Sequence, residues 1–413
     1  MGLPRVMKHL GCAYLTDRVI RIRVILIRFF PLALILSVSC LEPYDPPIDQ
    51  QALNILVVEG FINASTNAAE VKLSHTQPIH DSDVASAETN AKVSIQASTG
   101  GLYLLNELEP GVYRADQIVI DKSALYTLHI KTSFGLEYSS DTIRIRDTPP
   151  IDSLSFGLSN DGEDLTIRVN THDPSAKTRY YAWEYSETYE YNAPYNSGYT
   201  FVNKIPAIRK PEERIDKCWH TIPSSKISIG STEQLTEDIL SQQLLTTIPK
   251  GSPKISVRYS ILVKQRAISA AEHVYLGLLR KTESLGGLFD TPPVSVIGNV
   301  HQVNDASVPV LGYFSGATVQ EKRIFVDRSE LPDQLQVTQS KGQCQLEVSC
   351  EIGCPPSTGG PQSCVCLSDL SASTVLVGAY SDRTGNVIAY SFVSAKCGDC
   401  REQGGTVQKP DFW

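Results

Sequence analysis

Residues 179–191 read RYYAWEYSETYEY, and the alternation inside this stretch decides the fold class. Successive side chains of an extended chain point to opposite faces. Tyr181, Trp183, Tyr185, Tyr189 and Tyr191 therefore share one face of a strand, while Glu184, Ser186 and Glu190 share the other. An aromatic row of this kind suits either a sandwich core or a platform for stacking sugar rings. The polar opposite face favours the core, and Tyr181, Trp183 and Tyr185 stand as the candidate ligand face if the row is open.

The same period of two extends outward in both directions. Leu53–Glu59 is a continuous apolar run ending at Gly60, as expected of a strand buried on both faces. Short strands are predicted over 70–74, 91–97, 101–106, 111–113, 125–131 and 137–146, with turn chemistry at Glu109-Pro110-Gly111 and Phe134-Gly135. About seven short strands in this region predict an immunoglobulin-like β-sandwich over residues 53–147. Thr148-Pro149-Pro150 then marks a boundary, because proline cannot donate to a sheet ladder. A larger β-rich domain is expected over 148–413. The fold class is mainly β: two tandem sandwich domains of immunoglobulin or fibronectin type.

Helices are expected at two places in the second domain. Ser231 with Gln234, and Ser269 with Glu272, have the spacing of capping boxes and predict helices near 231–242 and 269–284. In the latter, Val274, Leu278 and Leu279 make the expected apolar stripe. The paired glycines of Leu285-Gly286-Gly287-Leu288 suit a helix stop; no phosphate-loop pattern accompanies them.

Composition narrows the function classes. The chain has 413 residues, with 37 Lys and Arg against 45 Asp and Glu, a net charge of −8. That sign argues against a nucleic-acid partner held through phosphates. The N-terminus is a different kind of sequence: residues 1–39 hold six basic residues and one acid, and removing them leaves 31 basic against 44 acidic, a net of −13. Phe29–Ser39 reads FFPLALILSVS after a string of arginines, and Cys40 follows at once. A basic region, a short apolar region and small residues before a cut site make a secretory signal, too short to span a bilayer. The sequence Leu36-Ser37-Val38-Ser39-Cys40 resembles a bacterial lipoprotein processing site, with Ser37 where leucine is usual. Residues 1–39 are thus expected to be removed, Cys40 to carry the lipid, and 40–52 to form a tether. Several acyl chains anchor stably, at about 0.8 kcal/mol per buried methylene.

Export makes the remaining cysteines legible. Cys218, Cys344, Cys350, Cys354, Cys364, Cys366, Cys397 and Cys400 are an even set in an oxidising compartment, which predicts disulfides and a stapled loop within 344–400. Cys218 is expected to reach forward to that cluster. Zinc ligation by the closely spaced cysteines and redox chemistry at Cys397-Gly-Asp-Cys400 are the competing readings; the connectivity is open. No nucleophile elbow, zincin motif or calcium loop is present, and the histidines are scattered. No catalytic residue, metal site or cofactor is expected.

Ordered words along the chain complete this reading. Val58-Glu59-Gly60-Phe61-Ile62, Gly111-Val112-Tyr113, Cys218-Trp219, Gly298-Asn299-Val300-His301 and Pro309-Val310-Leu311-Gly312-Tyr313-Phe314 resemble the family called domain of unknown function 4249, as do Cys397-Gly-Asp-Cys-Arg401 and Lys409-Pro-Asp-Phe-Trp413. The resemblance implies an exported lipoprotein, often linked to TonB-dependent outer-membrane transporters, with no catalytic residues to carry over. The expected function is a non-enzymatic accessory or binding component of nutrient uptake, lipid-anchored to the outer membrane. The alternatives are a carbohydrate-binding module or polymer-acting enzyme, and an adhesion or envelope scaffold. Trp413 is expected to anchor the C-terminus.

Overall fold

The alternation at 179–191 forms a strand of 13 residues, Tyr180–Asn192, and most of the second half of the fold is assembled around it. The computed structural model describes residues 54–77, 86–203, 205–226, 228–283, 298–336, 342, 344–350, 365–366 and 373–413. The expected signal segment, Cys40, the tether, Cys354, Cys364 and the glycine pair at 286–287 lie outside the described residues. The protein is mainly β.

The first body opens with β1 (Leu56–Asn63), β2 (Ala68–His75), β3 (Lys92–Ala97) and β4 (Leu102–Glu109). It continues with β5 (Val112–Ala115), β6 (Leu125–Lys131), β7 (Glu137–Ser140) and β8 (Ile143–Arg144). The chain then builds the second body with β9 (Ile151–Leu158), β10 (Leu165–His172), β11 (Tyr180–Asn192), the hairpin β12 (Tyr199–Val202) and β13 (Ile205–Ile208), and β14 (Lys217–Pro223). There follow β15 (Ser228–Ser231), β16 (Ile239–Ile248), β17 (Arg258–Ala267) and helix α1 (Ala270–Glu283). Two strands return to the first body, β18 (Val300–Gln302) and β19 (Leu311–Ala317), before β20 (Val319–Asp327) re-enters the second. The chain ends through β21 (Glu347–Cys350), β22 (Val365–Cys366), β23 (Thr374–Ser381), β24 (Val387–Ser394) and the short helix α2 (Ala395–Gly398).

The first body is one ten-stranded sheet in the order β18-β7-β6-β3-β4-β5-β2-β1-β19, with β8 paired to β6. It departs from the expected immunoglobulin-like sandwich in two ways. Its strands lie on a single hydrogen-bonded path that curls until its ends meet, and residues 53–147 do not complete it. The late strand β19 pairs parallel to β1, with Val58 opposite Gly312. The buried side chain of Asn299, just before β18, then closes the ring: its amide donates to the Phe314 carbonyl at 2.8 Å and accepts the Phe314 N–H at 2.7 Å. These are the two bonds that a neighbouring strand would supply to an open edge. Inside lie Val58, Ile62, Val71, Ile95, Tyr126 and Phe314. Burial along β1 alternates, with Glu59 exposed, so the run read as buried on both faces is buried on one.

In the second body, the sheet β16-β10-β9 packs on the sheet β14-β11-β17-β20, with β15 also paired to β11. Their shared core holds Leu165, Ile167, Trp183, Tyr259 and Ile261. Gln265, fully buried, crosses between the sheets: it accepts from the Trp183 indole at 2.8 Å and donates to Thr171 at 2.9 Å and to the Pro149 carbonyl at 2.8 Å. The two bodies are tied where the chain passes between them, the Thr148 N–H donating to Thr318 Oγ1 at 2.8 Å.

Of the two expected helices, 269–284 is found as α1, but its buried side carries Glu272 and Tyr275, and Val274 is exposed. The expected helix near 231–242 is absent. Residues 228–231 and 239–248 are strands, and the turn between them is fixed by the buried carboxylate of Asp238, which accepts from Thr232 Oγ1 at 2.6 Å and Tyr181 Oη at 3.0 Å. Pairing of β16 with β10 outweighs the modest helix propensity of the intervening Glu, Gln and Leu residues.

A similar device organises the turn from β10 to β11. The Asp173 carboxylate accepts from the backbone of Ser175, Lys177 and Thr178 and from the Ser175 hydroxyl, at 2.7–3.1 Å. Burial alone would raise its pKa, but the hydrogen bonds from Ser175 and Thr178 outweigh it and bring the value from 3.8 down to about 2. A depressed carboxylate stabilises the fold above its unfolded pKa and ceases to as pH falls through the folded value. Asp173→Asn is expected to cost about 1 kcal/mol at pH 7. Urea titrations across pH should show the variant losing less stability than the parent between pH 4 and pH 2.

Candidate functional site

The aromatic row read from sequence is not an open platform. Tyr181, Trp183 and Tyr185 are 0%, 1% and 6% exposed and face the other sheet of the second body. The strand alternation points them inward, and Trp183 spends its one donor on Gln265.

Four of the predicted cysteines are paired, as Cys218–Cys400 and Cys344–Cys397. Cys218 does reach forward into the late cluster, across 182 residues. The Cys397-Gly-Asp-Cys400 motif sits in α2 and the turn after it, and its two sulfurs go to different partners. Those partnerships make them staples and leave no Cys397–Cys400 dithiol couple. Cys350 and Cys366 stand opposite each other in the parallel register of β21 and β22. Among the described residues no cluster of three His, Cys, Asp or Glu is arranged to hold a metal. Trp413 anchors the C-terminus by donating to Glu190 at 3.2 Å and packing edge-on against Phe325.

The site with convergent polar groups is a cleft of about 440 Å³ between β8, β19 and the start of α1. One side comes from the sequence Ile143-Arg144-Ile145-Arg146. Ile145 is buried under Gly316, so the alternation turns Arg144 and Arg146 outward to the cleft. Among the described residues neither guanidinium has a hydrogen-bond or ion-pair partner.

The opposite side is rigid. Ser269 accepts the Glu272 N–H at 3.0 Å, capping α1, and its hydroxyl lies 3.1 Å from that of Tyr313 on β19. Tyr275 of α1 packs on Tyr313 with ring centroids 5.4 Å apart. Burial pushes the Tyr313 phenol up, only partly offset by its bond to Ser269, so it remains neutral at physiological pH. The Glu272 carboxylate, although buried, is paired with Arg266 and accepts from Ser315 at 3.0 Å. Its charge is thereby compensated. Asp141, at the edge, has His301 at 3.4 Å. The cleft thus holds two guanidinium groups without an ion-pair partner against one carboxylate, Asp141, whose partner is a histidine, and its lining includes the two fixed hydroxyls. That arrangement suits a small molecule carrying a carboxylate or phosphate group, which guanidinium binds in bidentate fashion.

Sequence reasoning missed this site. Arg144 and Arg146 read as the polar face of a strand, and the partners that shape the cleft lie more than 120 residues away. Two arginines at i and i+2, alternating with the core-facing Ile143 and Ile145, were the available signal. No helix among the described residues is long and apolar enough to cross a membrane.

Comparison with known proteins adds one assignment. No curated protein matches the chain. The model of a family described as a domain of unknown function, DUF4249, matches residues 41–323, which take in the first body, the cleft and most of the second body. The chain belongs to the DUF4249 family.

Proposed function

We propose that the protein is a non-enzymatic lipoprotein of the outer membrane, an accessory binding component that works with a TonB-dependent transporter in nutrient uptake. The lipid anchor rests on the basic and apolar leader that ends at Cys40. The single observation that carries binding is the cleft, where two unpaired guanidinium groups oppose the Ser269 and Tyr313 hydroxyls. The finer fold reading, an immunoglobulin or fibronectin-like sandwich, applies best to the second body with its two face-packed sheets. Burial of the aromatic row removes the main support for a carbohydrate platform.

Native pull-down of the tagged protein from membranes tests the association: the expected result is recovery of an outer-membrane transporter, and repeated recovery of none overturns it. The cleft is tested separately by titration with a panel of small carboxylates and phosphates. Arg144→Ala and Arg146→Ala are each expected to weaken the best ligand about five- to tenfold, the value of an exposed charge-assisted contact. Unchanged affinity in both variants would remove the cleft from the account.

A further inference from the structure

We infer that the cleft between β8, β19 and the start of α1 takes a short peptide with a free amino end and an acidic residue at its carboxyl end, the ammonium lying on Asp141 and the two carboxylates on Arg144 and Arg146. This rests on the cleft as the binding site and names the class of molecule it would hold.

The three charged groups belong to one fixed, extended segment. β7 and β8 both pair with β6, and the chain leaves that ladder between them, at Asp141 and Thr142. The Ser140 hydroxyl accepts the Leu128 N–H there at 2.9 Å, and the Asp141 N–H donates to the Asn299 carbonyl at 2.7 Å. At the other end the Arg146 N–H donates to the Gly316 carbonyl at 3.0 Å, and the Arg146 carbonyl accepts from Thr318 at 2.9 Å. The segment therefore presents a carboxylate and then two guanidinium groups, in that order. Extended chain puts Asp141 at most about 10 Å from Arg144, and Arg144 about 7 Å from Arg146. The Asp141 carboxylate is 66% exposed, and its ion-pair partner His301, at 3.4 Å, is not a permanent cation, so it stays open to an ammonium group.

Charge complementarity selects among ligands. Glu272, the other carboxylate of the lining, is paired with Arg266, so the groups left to a ligand are two cations and one anion. A single carboxylate leaves one guanidinium and Asp141 unmatched. A phosphate or a plain dicarboxylate meets both arginines but sets a like charge near Asp141. One ammonium with two carboxylates matches all three, and the order along the segment puts the ammonium at one end and both carboxylates at the other. A dipeptide ending in glutamate or aspartate has that order, and a cleft of about 440 Å³ has room for it. The Tyr313 phenol is raised first by burial; after its bond to Ser269 come Glu272, Arg146 and Asp141, so both ends of the charged segment act on this hydroxyl. A hydroxyl close to both is placed to bond the peptide group that joins them. Leu125, opposite Arg144 in the ladder, gives the lining apolar surface for the ligand's carbon chain.

The test is isothermal titration calorimetry on the full, processed protein with alanyl-glutamate, N-acetyl-alanyl-glutamate, alanyl-glutamine and inorganic phosphate. Alanyl-glutamate is expected to bind best, and loss of the ammonium or of the second carboxylate should each weaken binding about fivefold. Asp141→Asn should bring alanyl-glutamate down to the level of its acetylated form while the acetylated form binds no less tightly, a contrast that a misfolded variant cannot give. Arg144→Ala should weaken both peptides alike. Equal affinities for alanyl-glutamate and its acetylated form, or phosphate bound as tightly as alanyl-glutamate, overturn the peptide assignment; where Arg144→Ala still weakens those ligands, the anion cleft survives it. Absence of binding by all four ligands and by the wider panel of carboxylates and phosphates defeats the cleft itself, and the peptide assignment with it.

Discussion

Gly312→Ala is expected to destabilise the first body by about 4 kcal/mol or more, the largest effect of any single substitution considered. Gly312 has φ of +142°, outside the range of ordinary L residues, and it pairs with Val58 in the ladder that joins β19 to β1. A Cβ there would overlap the Val58 backbone. Relief requires β19 to move, and that movement breaks the parallel ladder and pulls Phe314 away from Asn299, which closes the ring. Each orphaned buried backbone group adds about 1–3 kcal/mol. A control separates strain from overlap. Gly385 also has positive φ, +89°, but a Cβ there meets nothing within 4 Å, so Gly385→Ala should cost only about 1 kcal/mol. Hydrogen exchange of peptides covering 56–63 and 311–317 is the direct readout. Unchanged protection in Gly312→Ala would contradict the closed arrangement.

Removal of the Cys218–Cys400 disulfide, as Cys218→Ala with Cys400→Ala, is expected to cost about 4 kcal/mol. The link closes a loop of 182 residues, for which the chain-entropy relation gives about 5 kcal/mol, and native disulfides commonly contribute about 2–5. Both sulfurs are fully buried, so the alanine pair also leaves unfilled space where the C-terminal segment meets β14. The Cys344–Cys397 link spans 53 residues, and by the same relation its loss should cost about 1 kcal/mol less. Guanidinium titrations of the two double-alanine proteins measure both values. The reverse order, or a loss below about 1 kcal/mol for the longer link, would contradict the role of Cys218 as the staple between distant segments.

Much of the fold was legible in the sequence because strand alternation is a local property. The stretch 179–191, the strands at 91–97 and 125–131, and helix α1 all announce themselves within a few residues. Failures came where a distant partner decides the outcome. Residues 232–238 have helix-compatible composition, but Thr232 and Tyr181 capture Asp238 and β10 captures β16. Closure of the first body depends on Val58 meeting Gly312, 254 residues on, and on the Asn299 side chain bonding the Phe314 backbone, a contact that alternation does not announce. The cysteine count predicted staples, but pairing is a property of the folded chain. The cleft was illegible for the same reason, since Arg144, Ser269 and Tyr313 come together only when β18 and β19 return to the first body.

The proposed location and partner both depend on one proposed chemical event, acylation of Cys40, and intact-mass and peptide analysis of the protein isolated from membranes measures it directly. The account predicts an N-terminal peptide that begins at Cys40, carries acyl chains on the thiol and the α-amino group, and shifts the protein from the membrane to the soluble fraction when Cys40 is replaced by Ala. A mature N-terminus at any other residue, or an unmodified Cys40 in membrane-bound protein, would contradict it.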